Sequence, residues 1–182
     1  CERFSKVNGL SDAGVTLSSY DPESKTTIVT YENSNIDIVQ NGKVYNISDI
    51  RIRSIEGSKE INSIYFNNAK AYLSCGFGIV VLDLVRKEIF DTYYVGENSS
   101  KIKVNAVTIN DTSIFAATVN GLLYAPKSSN ALAASQTWQK VQNIANRGIS
   151  NIEILNILSG NTLTATTGRN NAKTLHNTTS FF

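Results

Sequence analysis

The lone histidine, His176, is where acid–base or metal chemistry would first be sought. It stands in a Thr- and Asn-rich tail with no Cys, Asp or Glu at ligand spacing. A zinc site needs several such groups, and a Ser-His-Asp triad needs the imidazole held by a third group. Neither is expected. Gly76-Phe77-Gly78 has two glycines of a nucleotide loop. No helix pattern follows it, so it reads as a turn between strands. Asp37 and Asp83 sit among apolar residues in what read as similar places of third strands, and are expected to cap loops or hold neighbours in register. No closely spaced string of oxygen ligands points to calcium. Asn-x-Ser/Thr triplets at Asn46, Asn98, Asn110 and Asn177 are what an Asn- and Ser-rich chain produces by chance, and matter only in a secreted eukaryotic protein. The expectation is therefore no catalytic residue, no metal and no cofactor.

Composition narrows the class. The chain has 182 residues, enough for one domain or part of one, and its hydrophobic content of 41% is enough for a core. A net charge of +2, with Lys and Arg scattered, gives no basic stripe for nucleic acid. No run of about 18 apolar residues provides a membrane span. Cys75 lies in a strand pattern and reads as a small buried apolar residue. Cys1 reads as a fragment boundary, as the acylated first residue of a lipoprotein, or as a disulfide partner of Cys75.

The elements that would position any site are clearest over 61–95. Ile61–Phe66, Ala71–Cys75, Ile79–Leu84 and Glu88–Val95 are short apolar runs separated by turn residues, a meander signal. Ile79-Val80-Val81-Leu82 is apolar on both faces and must be covered on both. One open sheet cannot do that; a stack of like sheets can.

The pattern repeats. Ile28, Tyr72 and Phe115 are 44 and 43 residues apart, and Gly78 and Gly121 are 43 apart. Such a period, built from four strands, is that of a propeller blade. The fold class is all-β: a β-propeller of four-stranded antiparallel blades with a period of about 43–46 residues, about four blades present, as a fragment of a larger ring of about seven. A β-sandwich with evenly spaced strands is the alternative. The blades fall at 14–50, 61–95 and 104–141, with 149–182 incomplete and 1–13 the tail of a preceding blade. The stretch 49–60 reads as a polar connection whose Arg51, Arg53 and Lys59 form a solvated face. A Ser/Asn/Ala-rich insertion at 127–136 delays the last strand of the third blade, and Ala131–Ala134 suit a turn of helix. Trp138 is expected to pack against a neighbouring blade.

Propeller ligands meet loops at the central channel. Inner-strand starts carry Val15, Asn62, Asn105 and Ser150, which are poor acid–base groups. The binding candidates are Asn62, Ser63, Asn105 and Asn151, whose neutral polarity suits sugars or protein loops but is also ordinary turn composition.

Residues 8–15, NGLSDAGV, resemble the inner-strand entry of two-component-regulator-type propeller repeats. The strings TTIVTYENSNIDIVQNGKVYNISDI (26–50) and NSIYFNNAKAYLSCGFGIVVLDLVRKEI (62–89) resemble the N-terminal β-propeller of PorZ-like proteins of the Bacteroidetes type IX secretion system. The likeness covers about 4–141. It implies a large exported protein at the periplasm or outer-membrane surface. Such a protein works with a sortase that cleaves cargo signals, and binds lipopolysaccharide. It implies no catalysis, and no residue is carried across. Family propellers have about seven blades, and the text after 142 diverges. The competing readings are an extracellular sensor of a hybrid two-component system, a propeller enzyme, and a self-contained four-bladed adhesion module.

Overall fold

The computed structural model describes residues 9–141, 152–158 and 162–167. The first sheet is β1 (Val15–Asp21), β2 (Thr26–Tyr31), β3 (Ile36–Gln40) and β4 (Lys43–Ile47). The second is β5 (Ile61–Asn67), β6 (Lys70–Cys75), β7 (Gly78–Asp83) and β8 (Glu88–Tyr93). The third is β9 (Val104–Ile109), β10 (Ser113–Thr118), β11 (Gly121–Pro126) and the short β12 (Gln139–Lys140). A two-stranded sheet, β13 (Ile152–Leu158) and β14 (Thr162–Thr167), follows. Every pairing is antiparallel between strands adjacent in sequence. The sheets are blades: β5 lies against β9 and β9 against β13, so first strands of successive sheets are neighbours. No helix among the described residues is long and apolar enough to cross a membrane.

The core consists of layers between blades. Ile28, Ile36 and Ile38 of blade one meet Ala71, Leu73, Val80 and Leu82 of blade two. On the other face of blade two, Tyr72, Ile79 and Val81 meet Val107, Ile114 and Ala116 of blade three. The alternation within β6 and β7 thus sends odd and even residues to opposite neighbours, the consequence of a strand apolar on both faces. Each of the Val, Leu and Ile side chains among these, fully buried, contributes about 1.5–3 kcal/mol relative to exposure. The repeated landmark residues keep one direction: Ile28 faces blade two, Tyr72 faces blade three, and Phe115 joins Leu122 and Val141 on the far face of blade three.

Turn chemistry fixes the registers. Asn41 and Gly42 hold φ of 52° and 71°, the left-handed pair a two-residue hairpin needs. Gly78 holds φ of 148°, and a Cβ there would stand 2.4 Å from the Tyr93 carbonyl oxygen. Gly121, 43 residues later, holds φ of 114°, again in the region that favours glycine.

Three local expectations need correction. The polar connection 49–60 contains a single helical turn, α1 (Asp49–Ile52), because Ile50 drops into the layer between blades one and two. The helical turn of the insertion is a 3-10 turn at Ser135–Thr137, one step beyond Ala131–Ala134, which form only a turn closed by the Ala134 N–H on the Ala131 carbonyl. Asp37 and Asp83 are not in similar places: Asp37 is the second residue of β3, and Asp83 the last of β7. Cys75 is a free, buried thiol rather than half of a disulfide. Trp138 packs on Tyr93 of the neighbouring blade, ring centroids 6.2 Å apart. Cys1 and the first eight residues of the preceding blade's tail, Ser150, Asn151, His176, Asn177 and any third and fourth strands of 149–182 lie outside the described residues.

Candidate functional site

Each first strand carries a β-bulge near its start. The ladder slips between Val15 and Leu17, between Ile61 and Ser63, opposite Ala117 and Thr118 at Asn105, and between Ile154 and Asn156. Bulges re-aim a side chain. Two of the residues expected to meet a ligand, Asn62 and Asn105, are the extra residues of these bulges.

The Asn62 side chain faces the next blade. The Asn62 amide donates to the Val104 carbonyl across 2.8 Å, joining blade two to blade three. The Ser63 hydroxyl donates to the Ser74 hydroxyl at 2.9 Å within its own sheet. Asn105 is equivalent to Asn62, but its Nδ2 is buried without a hydrogen-bond partner among the described residues. Asn151 lies outside the described residues. Asn62 and Ser63 are thus each bonded within or between blades.

The carboxylates set into the blades hold structure. Asp83 accepts the backbone N–H groups of Val85 and Arg86 at 2.8 and 2.9 Å, and the Arg86 N–H is the main reason its pKa is lowered. Asp21 accepts the Ser24 hydroxyl at 2.6 Å, which chiefly lowers its pKa. Asp37, fully buried, accepts the Ser11 N–H, the Tyr31 hydroxyl and the Asn46 amide. Where the loops cross between blades, Lys101 pairs with Glu56 and Lys103 with Glu60, each at 3.5 Å and solvent-exposed. Exposed pairs of this kind contribute about 0–1 kcal/mol. Arg51 and Arg53 are exposed, as a solvated face requires.

A concavity with room for a ligand lies elsewhere. A cleft of about 490 Å³ opens between the crossing loop that leaves blade two and the insertion of blade three. Ile102, Leu123 and Trp138 line it with apolar surface, and Asn98, Asn120 and Gln136 add side-chain amides. Sequence reasoning marked the insertion and Trp138 but not the loop opposite. The signal there was faint: Gly96-Glu97-Asn98-Ser99-Ser100 has only turn composition.

The fold has relatives. The chain resembles, at 24% identity and a TM-score of 0.75, the structure of PorZ, an essential bacterial surface component of the type-IX secretion system of Porphyromonas gingivalis; the match covers 90% of this chain and 21% of that one. It also resembles the extracellular domains of two putative hybrid two-component systems of B. thetaiotaomicron. One match has 16% identity, a TM-score of 0.60, and covers 84% of this chain and 19% of the other. The second has 12% identity, a TM-score of 0.58, and covers 91% and 25%. The chain therefore spans about a fifth of the length of the PorZ structure it matches. These likenesses share the propeller architecture. No curated protein sequence matches the chain. The profile of the N-terminal β-propeller domain of PorZ, of the type IX secretion system, matches residues 1–139, and the chain belongs to that family.

Proposed function

We propose that this propeller is a non-enzymatic docking module of an exported type IX secretion component. It holds a protein partner, of the sortase kind that processes cargo at the cell surface, and lipopolysaccharide is its second ligand. The observation that carries the reading is the family match over residues 1–139, on a structure whose blade side chains are committed to holding blades. Asp37, Asp83, Asp21 and Asn62 each serve a turn, a strand entry or a blade junction. Acid–base work needs such groups near a reacting atom and with a proton affinity poised near the working pH, whereas the bonds to Asp21 and Asp83 lower theirs. A blade surface instead offers a rigid platform for a partner.

A second reading, the extracellular sensor of a two-component system, is favoured by the likeness to the B. thetaiotaomicron sensor domains. Disrupting the propeller in its own bacterium separates the two. The docking reading expects cargo to accumulate with its secretion signal uncleaved. Normal cargo export with loss of a transcriptional response would overturn it in favour of the sensor.

A further inference from the structure

Blades one and two pass from third to fourth strand by short turns, at Asn41–Gly42 and Leu84–Lys87. Blade three uses residues 127–138 for the same connection. The repeat does not require those extra residues, and they build one wall of the cleft. The other wall is the turn at Glu97–Ser99, where Asn98 and Ser99 both hold left-handed φ of 52° and 60°. Consecutive non-glycine residues in that region persist only when held. The hold is visible: the Ser99 N–H donates to the Ser135 hydroxyl oxygen at 3.0 Å, tying the two walls together. The cleft is thus bounded on both sides before any ligand arrives. Its volume of about 490 Å³ is within the range of small-ligand sites.

The lining indicates what fits. Trp138 offers no stacking face: its indole N–H is bonded to the Leu132 carbonyl at 2.9 Å, its ring packs on Tyr93, and it is 7% exposed. A pyranose would lack its usual platform. Ile102 and Leu123 give the lining aliphatic surface suited to one side chain. The amides of Asn98, Asn120 and Gln136 each carry donors and an acceptor, the complement of a peptide group. Glu97 and Lys140, also in the lining, bring one charge of each sign and so favour a neutral segment.

We propose that this cleft binds a short extended peptide segment of a partner protein, with one aliphatic side chain on the Ile102–Leu123 surface and its backbone on the lining amides. This rests on the docking reading only for the protein nature of the partner, and its test is independent of cargo export. The test is a nuclear magnetic resonance titration of the isotope-labelled chain with N-acetyl-Ala-Leu-Ala-amide, and with maltose in parallel. The expected result is saturable shifts of the Trp138 indole and the Asn98, Asn120 and Gln136 side-chain amides with the peptide. Gln136→Ala, on an exposed residue, should weaken binding at least threefold with the melting temperature unchanged. Leu123→Arg should abolish it, and the dispersed spectrum of the variant would report that it remains folded. Absence of saturable shifts, shifts scattered away from the cleft, or a response to maltose alone would each overturn the proposal.

Discussion

The hydroxyl of Tyr31 donates to the carboxylate of Asp37 across 2.6 Å, where Asp37 is fully buried in the first blade. The same carboxylate accepts the Ser11 N–H at 2.7 Å and the Asn46 amide at 2.9 Å. The cluster therefore fastens the entry turn of blade one to its third and fourth strands. Burial, and then the bond to Asp37, push the Tyr31 phenol well above its usual range. Tyr31→Phe removes a donor to a buried charge, and a cost of about 1.5–3 kcal/mol is expected. Urea unfolding checks this through the midpoint at constant slope. An unchanged midpoint would mean that the carboxylate is satisfied without the phenol.

The two equivalent bulge asparagines should behave differently. Asn62→Ala loses the bond to Val104 and should cost about 1 kcal/mol. Asn105→Ala removes an amide whose Nδ2 has no hydrogen-bond partner among the described residues and should cost less. Equal losses, measured by thermal unfolding of both variants, would contradict the blade-joining role of Asn62.

Leu82 is fully buried between blades one and two, and Ile79 between blades two and three. Leu82→Ala and Ile79→Ala should each cost about 2–5 kcal/mol, because both faces of β7 are packed. Phe90, 48% exposed under the Lys70 ammonium, is a control. Phe90→Ala should cost no more than about 1 kcal/mol. Denaturant unfolding of the three variants distinguishes a stacked blade from a sheet with one wet face.

Burial pushes the Cys75 thiol up to about 12. The thiolate is the nucleophile, so Cys75 should resist iodoacetamide at pH 8 in a Cys1→Ser variant and react only after unfolding. The sign for stability follows. The unfolded thiol ionises near pH 8.5, so the folded state holds more protons above that value. Stability should then fall as pH rises from about 8.5 towards 12. Labelling of the native chain within minutes would show that the layer between blades one and two opens readily.

The lowered pKa of Asp83 gives an acid-side test. Its contribution is present above the unfolded carboxylate value of about 3.9 and is lost as pH falls through the lower folded value. The stability gap between the native chain and Asp83→Ala should narrow on acidification. A constant gap would mean that the turn does not depend on the charge.

Much of the architecture was legible because it is carried by local spacing. Apolar runs, their turn residues and a period near 43 all repeat, and the doubly apolar Ile79–Leu82 already required two neighbours. Ile50 was missed because one apolar residue in a polar string gives no periodicity. The partners of Asp37 were not legible either: Ser11 lies 26 residues away, and nothing local brings them together. Asn62 and Asn105 were read as channel ligands from their place at strand starts. A bulge, invisible in composition, turns the Asn62 amide onto a neighbouring blade. The cleft depends on two distant loops tied by Ser99 and Ser135, a pairing no spacing rule reaches.

Affinity purification of the protein from envelope fractions of its own bacterium, after mild crosslinking, tests the docking role most directly. Enrichment of a sortase-type cell-surface peptidase, lost when the propeller is deleted, is the predicted result. Recovery without any cell-surface partner, or with a membrane kinase in its place, would contradict it.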